Sequence, residues 1–191
     1  NIFGNYEQYQ MIGLIVGAVA FALQIYCDFS GYSMIAVGAA KVLGFELMEN
    51  FITPYFAGSV VEFWRRWHIS LSTWFRDYLY IPIGGSRCSK WKHYRNILIT
   101  FGISGLWHGA GWNYVVWGLL HGAYQIIEKE LMPVMVKINV KFHTKIDSFG
   151  YKLFRMLVTF TLVDIAWIFF RADSINQAVH YIERMVKYRD W

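Results

Sequence analysis

Charge is what this sequence is short of. Of its 191 residues, 16% are Asp, Glu, Lys or Arg, against roughly a quarter in soluble domains. With 56% hydrophobic and 19% aromatic residues, nine of them Trp, the composition is that of a membrane protein with a charged overlay. Cysteine is nearly missing. Cys27 lies beside Asp28 and Cys88 in a basic stretch, which excludes a disulfide framework and a cysteine metal site and leaves two free thiols. No histidine pair shows HExxH spacing, so no metal is expected. Ser30, Ser70 and Ser104 lack the G-x-S-x-G context of a serine hydrolase. Internal repeats, low-complexity tracts and linkers are absent as well.

Acidic residues are the scarcer sign, giving a net charge of +5 and a pI near 9.2. The excess cations cluster between apolar runs, as in cytoplasmic loops. There is no solvated basic face or nucleic-acid motif, so a nucleic-acid partner is excluded. The partner that composition implies is the lipid bilayer.

The apolar runs predict an all-α, multipass protein. Met11 to Cys27 is close to the lower limit for a span, with Gly13, Gly17, Ala18 and Ala22 offering small surfaces for a packed helix. Asp28-Phe29-Ser30-Gly31 is expected to interrupt it, leaving Tyr32 to Phe45 as a shorter buried or re-entrant helix. Pro54 suits the first position of a helix, and Pro82 with Gly84-Gly85 ends one. Arg87 to Arg95 reads as a compact basic loop. Asn96 to Trp107 and Trp112 to Ile127 are separated by only His108-Gly109-Ala110-Gly111, so they form an antiparallel hairpin. Glu128 to Lys152 reads as a polar connection and Phe154 to Phe170 as the last span, closed by Arg171. The basic stretches flank the hairpin on one side, and the positive-inside rule places that side in the cytoplasm.

Two constellations stand out. The first is Glu62 to Tyr80, read as one interfacial or re-entrant helix, with three Trp, three Arg, one His and two carboxylates in nineteen residues. Helical spacing puts Trp64, His68, Leu71 and Phe75 on one face, which sets an ionisable imidazole in an apolar stripe. Such a group is either an interfacial anchor's neighbour or a functional one. Arg65, Arg66 and Arg76 either pair with Glu62 and Asp77 or bind an anionic ligand. The second is the hairpin, where Asn96, Thr100, Ser104 and His108 recur every four residues opposite Asn113, Trp117, His121 and Gln125. Hydrocarbon satisfies none of these groups, so both stripes should face inward. Helix Asn96 to His108, at roughly 20 Å, is expected to end at membrane depth, with Gly105, Gly109 and Gly111 clearing space. A carbonyl-bonded core histidine and a catalytic one are both consistent with His108. His121 reads as a structural hydrogen-bonder, and His93, His143 and His180 as solvated. Asp28 is a cap, a cation partner or a site residue.

The run EFWRRWHISLSTWFRDYLYIPIGG (Glu62 to Gly85) resembles the signature of membrane-bound O-acyltransferases, in the bacterial branch concerned with alginate O-acetylation. The likeness continues in QIYCDFSGYSMIAVGAAKVLGF (Gln24 to Phe45), GLWHGAGWNYVVWGLLHG (Gly105 to Gly122) and FFRADSINQA (Phe169 to Ala178). It implies that residues 1–191 are the C-terminal part of one multipass transmembrane domain in the cell (inner, cytoplasmic) membrane. It implies His108 as the catalytic histidine and His68 at the position of a second active-site residue, usually His or Asn. Trp107, Asn113, Trp64, Arg65, Arg76 and Asp28 are the accompanying substrate-binding candidates. The implied activity is transfer of acetyl from a cytoplasmic thioester, acetyl-CoA or another acyl donor, toward hydroxyls of an exported polysaccharide. No bound cofactor is implied. The expected partners are an extracytoplasmic SGNH-like acetyltransferase or polysaccharide-synthesis machinery. D-alanyl transfer to teichoic acid is the nearest alternative, and a non-catalytic conduit subunit of polysaccharide export the alternative from another class. Asp164, inside the last apolar run, departs from the resemblance.

Overall fold

The computed structural model describes residues 2–187. It is helical throughout: α1 (Met11–Val42), α2 (Val60–Arg66), α3 (Ile69–Phe75), α4 (Lys90–His108), α5 (Trp112–Lys141), α6 (Phe149–Arg171) and α7 (Ile175–Lys187). Among the described residues the sole β contact is a bridge between Phe51 and Trp67. Two helices, α1 and α6, are long and apolar enough to cross a membrane.

Several expected boundaries move. The interruption at Asp28 to Gly31 does not occur, and α1 runs unbroken for 32 residues. No proline lies within it, and a single glycine costs a helix only about 1 kcal/mol. The basic stretch is not a loop beyond Ser89. Lys90, Lys92, His93 and Arg95 form the first turns of a 19-residue α4, since lysine and arginine are good helix formers. The helix ending at His108 is therefore roughly 28 Å long, and the expectation that it is short fails. Helix α5 continues through Glu128 and Pro133 to Lys141, where the sequence suggested a polar connection.

The largest correction concerns Glu62 to Tyr80, which is not one helix. It breaks at Trp67, extended at φ −110°, and His68, left-handed at φ 45°, then widens into a π-helical turn over Arg76–Tyr80. The cause is tertiary. Ile52 N–H donates to Arg66 C=O and Ile69 N–H to Asn50 C=O, while the Asn50 side-chain oxygen accepts from both the backbone N–H and the hydroxyl of Ser70. The 50–52 segment thus takes backbone groups that a continuous helix would need for itself.

The core sits where α1, α6 and α7 meet α5. Leu14, Ala18 and Ala22 pack with Val163, Ala166, Trp167 and Tyr181, and the Trp117 and Trp167 rings stack at 5.7 Å. Tyr55 and Tyr181 donate to the carbonyls of Ala22 and Leu14. The hairpin is antiparallel and very close. A Cβ at Gly105 would lie 2.2 Å from Tyr114 O, and one at Gly118 2.1 Å from Phe101 O, so glycine is what lets these backbones touch. At the far end of the hairpin Lys90 and Tyr94 both bond to Glu130, which brings the two basic stretches to the same end.

Candidate active site

The polar stripes of the hairpin do face inward. Asn96, Thr100, Ser104, Asn113, Trp117 and His121 are all buried. Part of this polarity is consumed locally. Thr100 donates to Asn96 C=O and Asn96 to Gly85 C=O. The Asn113 amide donates to the carbonyls of Ala172 and Phe169, fastening α5 to the end of α6. Asn113 lines a cavity, but its donors are already engaged.

His108, at the last turn of α4, places Nδ1 2.7 Å from Ser104 C=O. A carbonyl only accepts, so Nδ1 carries the proton and Nε2 carries the lone pair. The carbonyl-bonded histidine and the basic histidine are therefore the same arrangement. The ring is half-buried among Trp107, Trp117 and Phe170, with centroids at 4.8, 4.9 and 5.6 Å. His68 is also half-buried. It meets Phe29 of α1 edge-on at 4.6 Å and Trp107 at 6.5 Å. The break before α3 thus carries His68 to the hairpin, and the two histidines flank one indole.

Two cavities open near these rings. One, of about 890 Å³, opens between the α2–α3 region and the basic end of the hairpin. Trp64, Arg65, Arg76, Ser104, Lys129 and Arg155 are among the residues that line it. The other, of about 980 Å³, opens at the His108 turn, bounded by Gln24, Asp28, Asn113, Arg171 and Asp173. Trp64, Arg65 and Arg76 line the cationic cavity and Asp28 and Asn113 the other, while His68, Trp107 and His108 line neither.

The arginines divide. Arg66 pairs with Glu62 one turn away at 2.5 Å, Arg76 with the adjacent Asp77 at 2.7 Å, and Arg65 has no acidic partner among the described residues. The Asp77 carboxyl is held below its usual range by the Arg76 hydrogen bond. Glu128 accepts from Arg155 and from Val60 N–H, tying α5 to α6 and α2. Reading 128–152 as a connection hid that pair. His93 is buried rather than solvated and pairs with Tyr80 at 2.9 Å. His121 is fully buried without a hydrogen-bond partner among the described residues, so it is no structural hydrogen-bonder within them. His143 and His180 are exposed, and Cys27 and Cys88 are free thiols.

Comparison with known proteins gives the site its context. A probable alginate O-acetylase of Pseudomonas syringae is 46% identical over 176 residues, 92% of this chain and 32% of the relative. A peptidoglycan O-acetyltransferase of Helicobacter pylori is 39% identical over 88% of the chain and 31% of its own length. A teichoic acid D-alanyltransferase of Bacillus subtilis is 34% identical over 63% of the chain and 33% of its own. The chain therefore spans about a third of the length of the curated relatives it matches. The model of the membrane-bound O-acyltransferase family matches residues 3–166, the stretch that holds both His68 and His108, and the chain belongs to that family.

Proposed function

We propose that this chain forms the catalytic part of a multipass O-acetyltransferase of the cytoplasmic membrane, acting on an exported or cell-surface polysaccharide. The observation that carries the reading is His108, whose Nδ1 is held by Ser104 C=O while Nε2 is left basic among the rings of Trp107, Trp117 and Phe170. His108 Nε2 takes the proton of the acceptor hydroxyl, and the oxygen attacks the thioester carbonyl. The tetrahedral intermediate expels the thiolate, which takes the proton from the imidazolium. Atoms and charge balance, and the histidine returns to its starting tautomer. His68, one indole away, orients the acceptor or the carbonyl. Arg65 and Lys129, on the cationic cavity, suit an anionic donor such as acetyl-CoA, and the positive-inside rule supports a cytoplasmic position for the basic end of the hairpin. The acceptor hydroxyl belongs either to the polymer itself or to an extracytoplasmic SGNH-like acetyltransferase that carries the acetyl ester on to the polymer machinery. D-alanyl transfer to teichoic acid is the second reading, and the fuller coverage by O-acetylases favours acetyl.

Replacing His108 with Ala in the intact protein is the test. Polymer O-acetylation is expected to fall by about 10²–10⁴-fold, the range for a lost acid–base group, with membrane accumulation unchanged. A variant that accumulates normally and still supports acetylation would overturn the enzyme reading, because only a conduit tolerates that change. Topology has its own probe. In a Cys27→Ser background, Cys88 should resist an impermeant thiol reagent in intact cells and react in inverted vesicles. Labelling from outside would reverse the orientation.

A further inference from the structure

The chemistry above uses neither ring nitrogen of His121, and the packing gives them nothing to do. His121 is 0% exposed, and neither Nδ1 nor Nε2 has a hydrogen-bond partner among the described residues. Nε1 of Trp64 and Nε1 of Trp117 share that condition. The three side chains are mutual neighbours. The Trp64 ring meets His121 edge-on at 5.0 Å and Trp117 meets it at 5.3 Å, while the two indoles lie 5.8 Å apart.

Their inventory does not close. Each indole contributes one N–H and no acceptor, and a neutral imidazole contributes one donor and one acceptor. Three donors face one acceptor, so even the best internal pairing strands two N–H groups. The large majority of buried side-chain donors in native proteins have a protein or water partner. An oxygen with lone pairs to offer would close this inventory. The position of the cluster says where that oxygen comes from and what it affects. Trp64 and Phe101 both contact the His121 ring and both line the cationic cavity, so the cluster sits directly behind that cavity's wall. On its other side Trp117 meets the His108 ring at 4.9 Å and 70°.

We propose that His121, Trp64 and Trp117 form a buried binding site for one small oxygen acceptor, and that this oxygen, by fixing Trp117, positions the His108 ring. Water and the carbonyl oxygen of the donor's acyl group share this chemistry. The site stands on the packing alone, whereas its effect on His108 rests on the acyl-transfer reading above.

Indole ¹⁵N–¹H spectra of the intact protein in lipid nanodiscs test it, with Trp64→Phe and Trp117→Phe identifying the two signals. Both N–H resonances are expected at hydrogen-bonded positions. If water is the occupant they exchange magnetisation with solvent and ignore the ketone analogue of acetyl-CoA. If the acyl oxygen is the occupant, both move when that analogue is added. His121→Phe, which keeps a ring and removes both nitrogens, is expected to shift both signals and lower kcat by about tenfold or more, as misplacing a catalytic group does, with KM little changed. His121→Gln, an amide with a donor and an acceptor, should recover part of that loss. Free-indole positions with no solvent exchange, with or without the analogue, would overturn the proposal. So would a His121→Phe protein with unchanged spectra and kinetics. Should that variant not fold, the unsubstituted spectra still decide. Should His108→Ala remain active while the spectra report an acceptor, the site holds and its catalytic consequence falls.

Discussion

In the α4–α5 hairpin the glycines are where two backbones meet, whereas along the second half of α1 they meet nothing. Gly105 and Gly118 leave no room for a Cβ, while Gly31 and Gly38 have no atom within 4 Å of where one would be. The neighbours of the α1 glycines are equally open, with Tyr32, Ile35 and Val42 exposed at 70%, 74% and 87%. The same residue type thus does two physically different jobs. In the hairpin it sets an interhelical distance, and that distance brings His108 and Trp117 into ring contact. In α1 it only lowers helix propensity on a face that this part of the molecule leaves bare.

Substitutions can break this contrast. Gly118→Val is expected to have the largest effect, because the obstructing atom is the Phe101 carbonyl and cannot rotate away. Overpacking of rigid sites costs 1–3 kcal/mol or more, and here it should abolish a monodisperse, folded protein in fluorescence-detected size exclusion. Asn113→Ala comes next. It strands the Ala172 carbonyl at the end of α6, a loss of about 1–3 kcal/mol, read as a lower thermal midpoint in detergent. The smallest effect belongs to Gly38→Ala, expected to stabilise by about 0.5–1 kcal/mol through helix propensity alone. If Gly38→Ala were as damaging as Gly118→Val, the open face of α1 would be a tight interface in the intact protein, and the contrast would fail.

The hairpin was the most legible part of the chain. Its four-residue polar spacing and its four-residue turn are local signals, and they sufficed to predict antiparallel packing with Asn96, Thr100, Ser104, Trp117 and His121 turned inward. The Trp/Arg segment was misread as one helix because its periodicity is sound on both sides of the break. What breaks it is Asn50, a residue far enough upstream that no local pattern includes it. The length of α4 is not legible in the same way, because its first turns are a run of cations that resembles a loop although Lys and Arg continue helices readily. The Glu128–Arg155 pair was lost with the mistaken connection. As for the substrate-binding candidates, Trp64, Arg65 and Arg76 line one cavity and Asp28 and Asn113 the other, a division that depends on how the helices cross and leaves no trace in spacing.

The left-handed backbone at His68 acts as a filter on what that position can be. Few side chains adopt this conformation without penalty, and His, Asn and Asp are the non-glycine residues enriched there. An alternation between His and Asn at this point, which the family resemblance implies, is what such a filter would pass, whatever chemistry the side chain performs. It also determines how the residue should be interrogated. Alanine removes the imidazole and penalises the kink together, and glycine removes the imidazole while relaxing the kink. Asparagine keeps the backbone content and exchanges only the chemistry, so it is the replacement whose effect can be read as the worth of the ring.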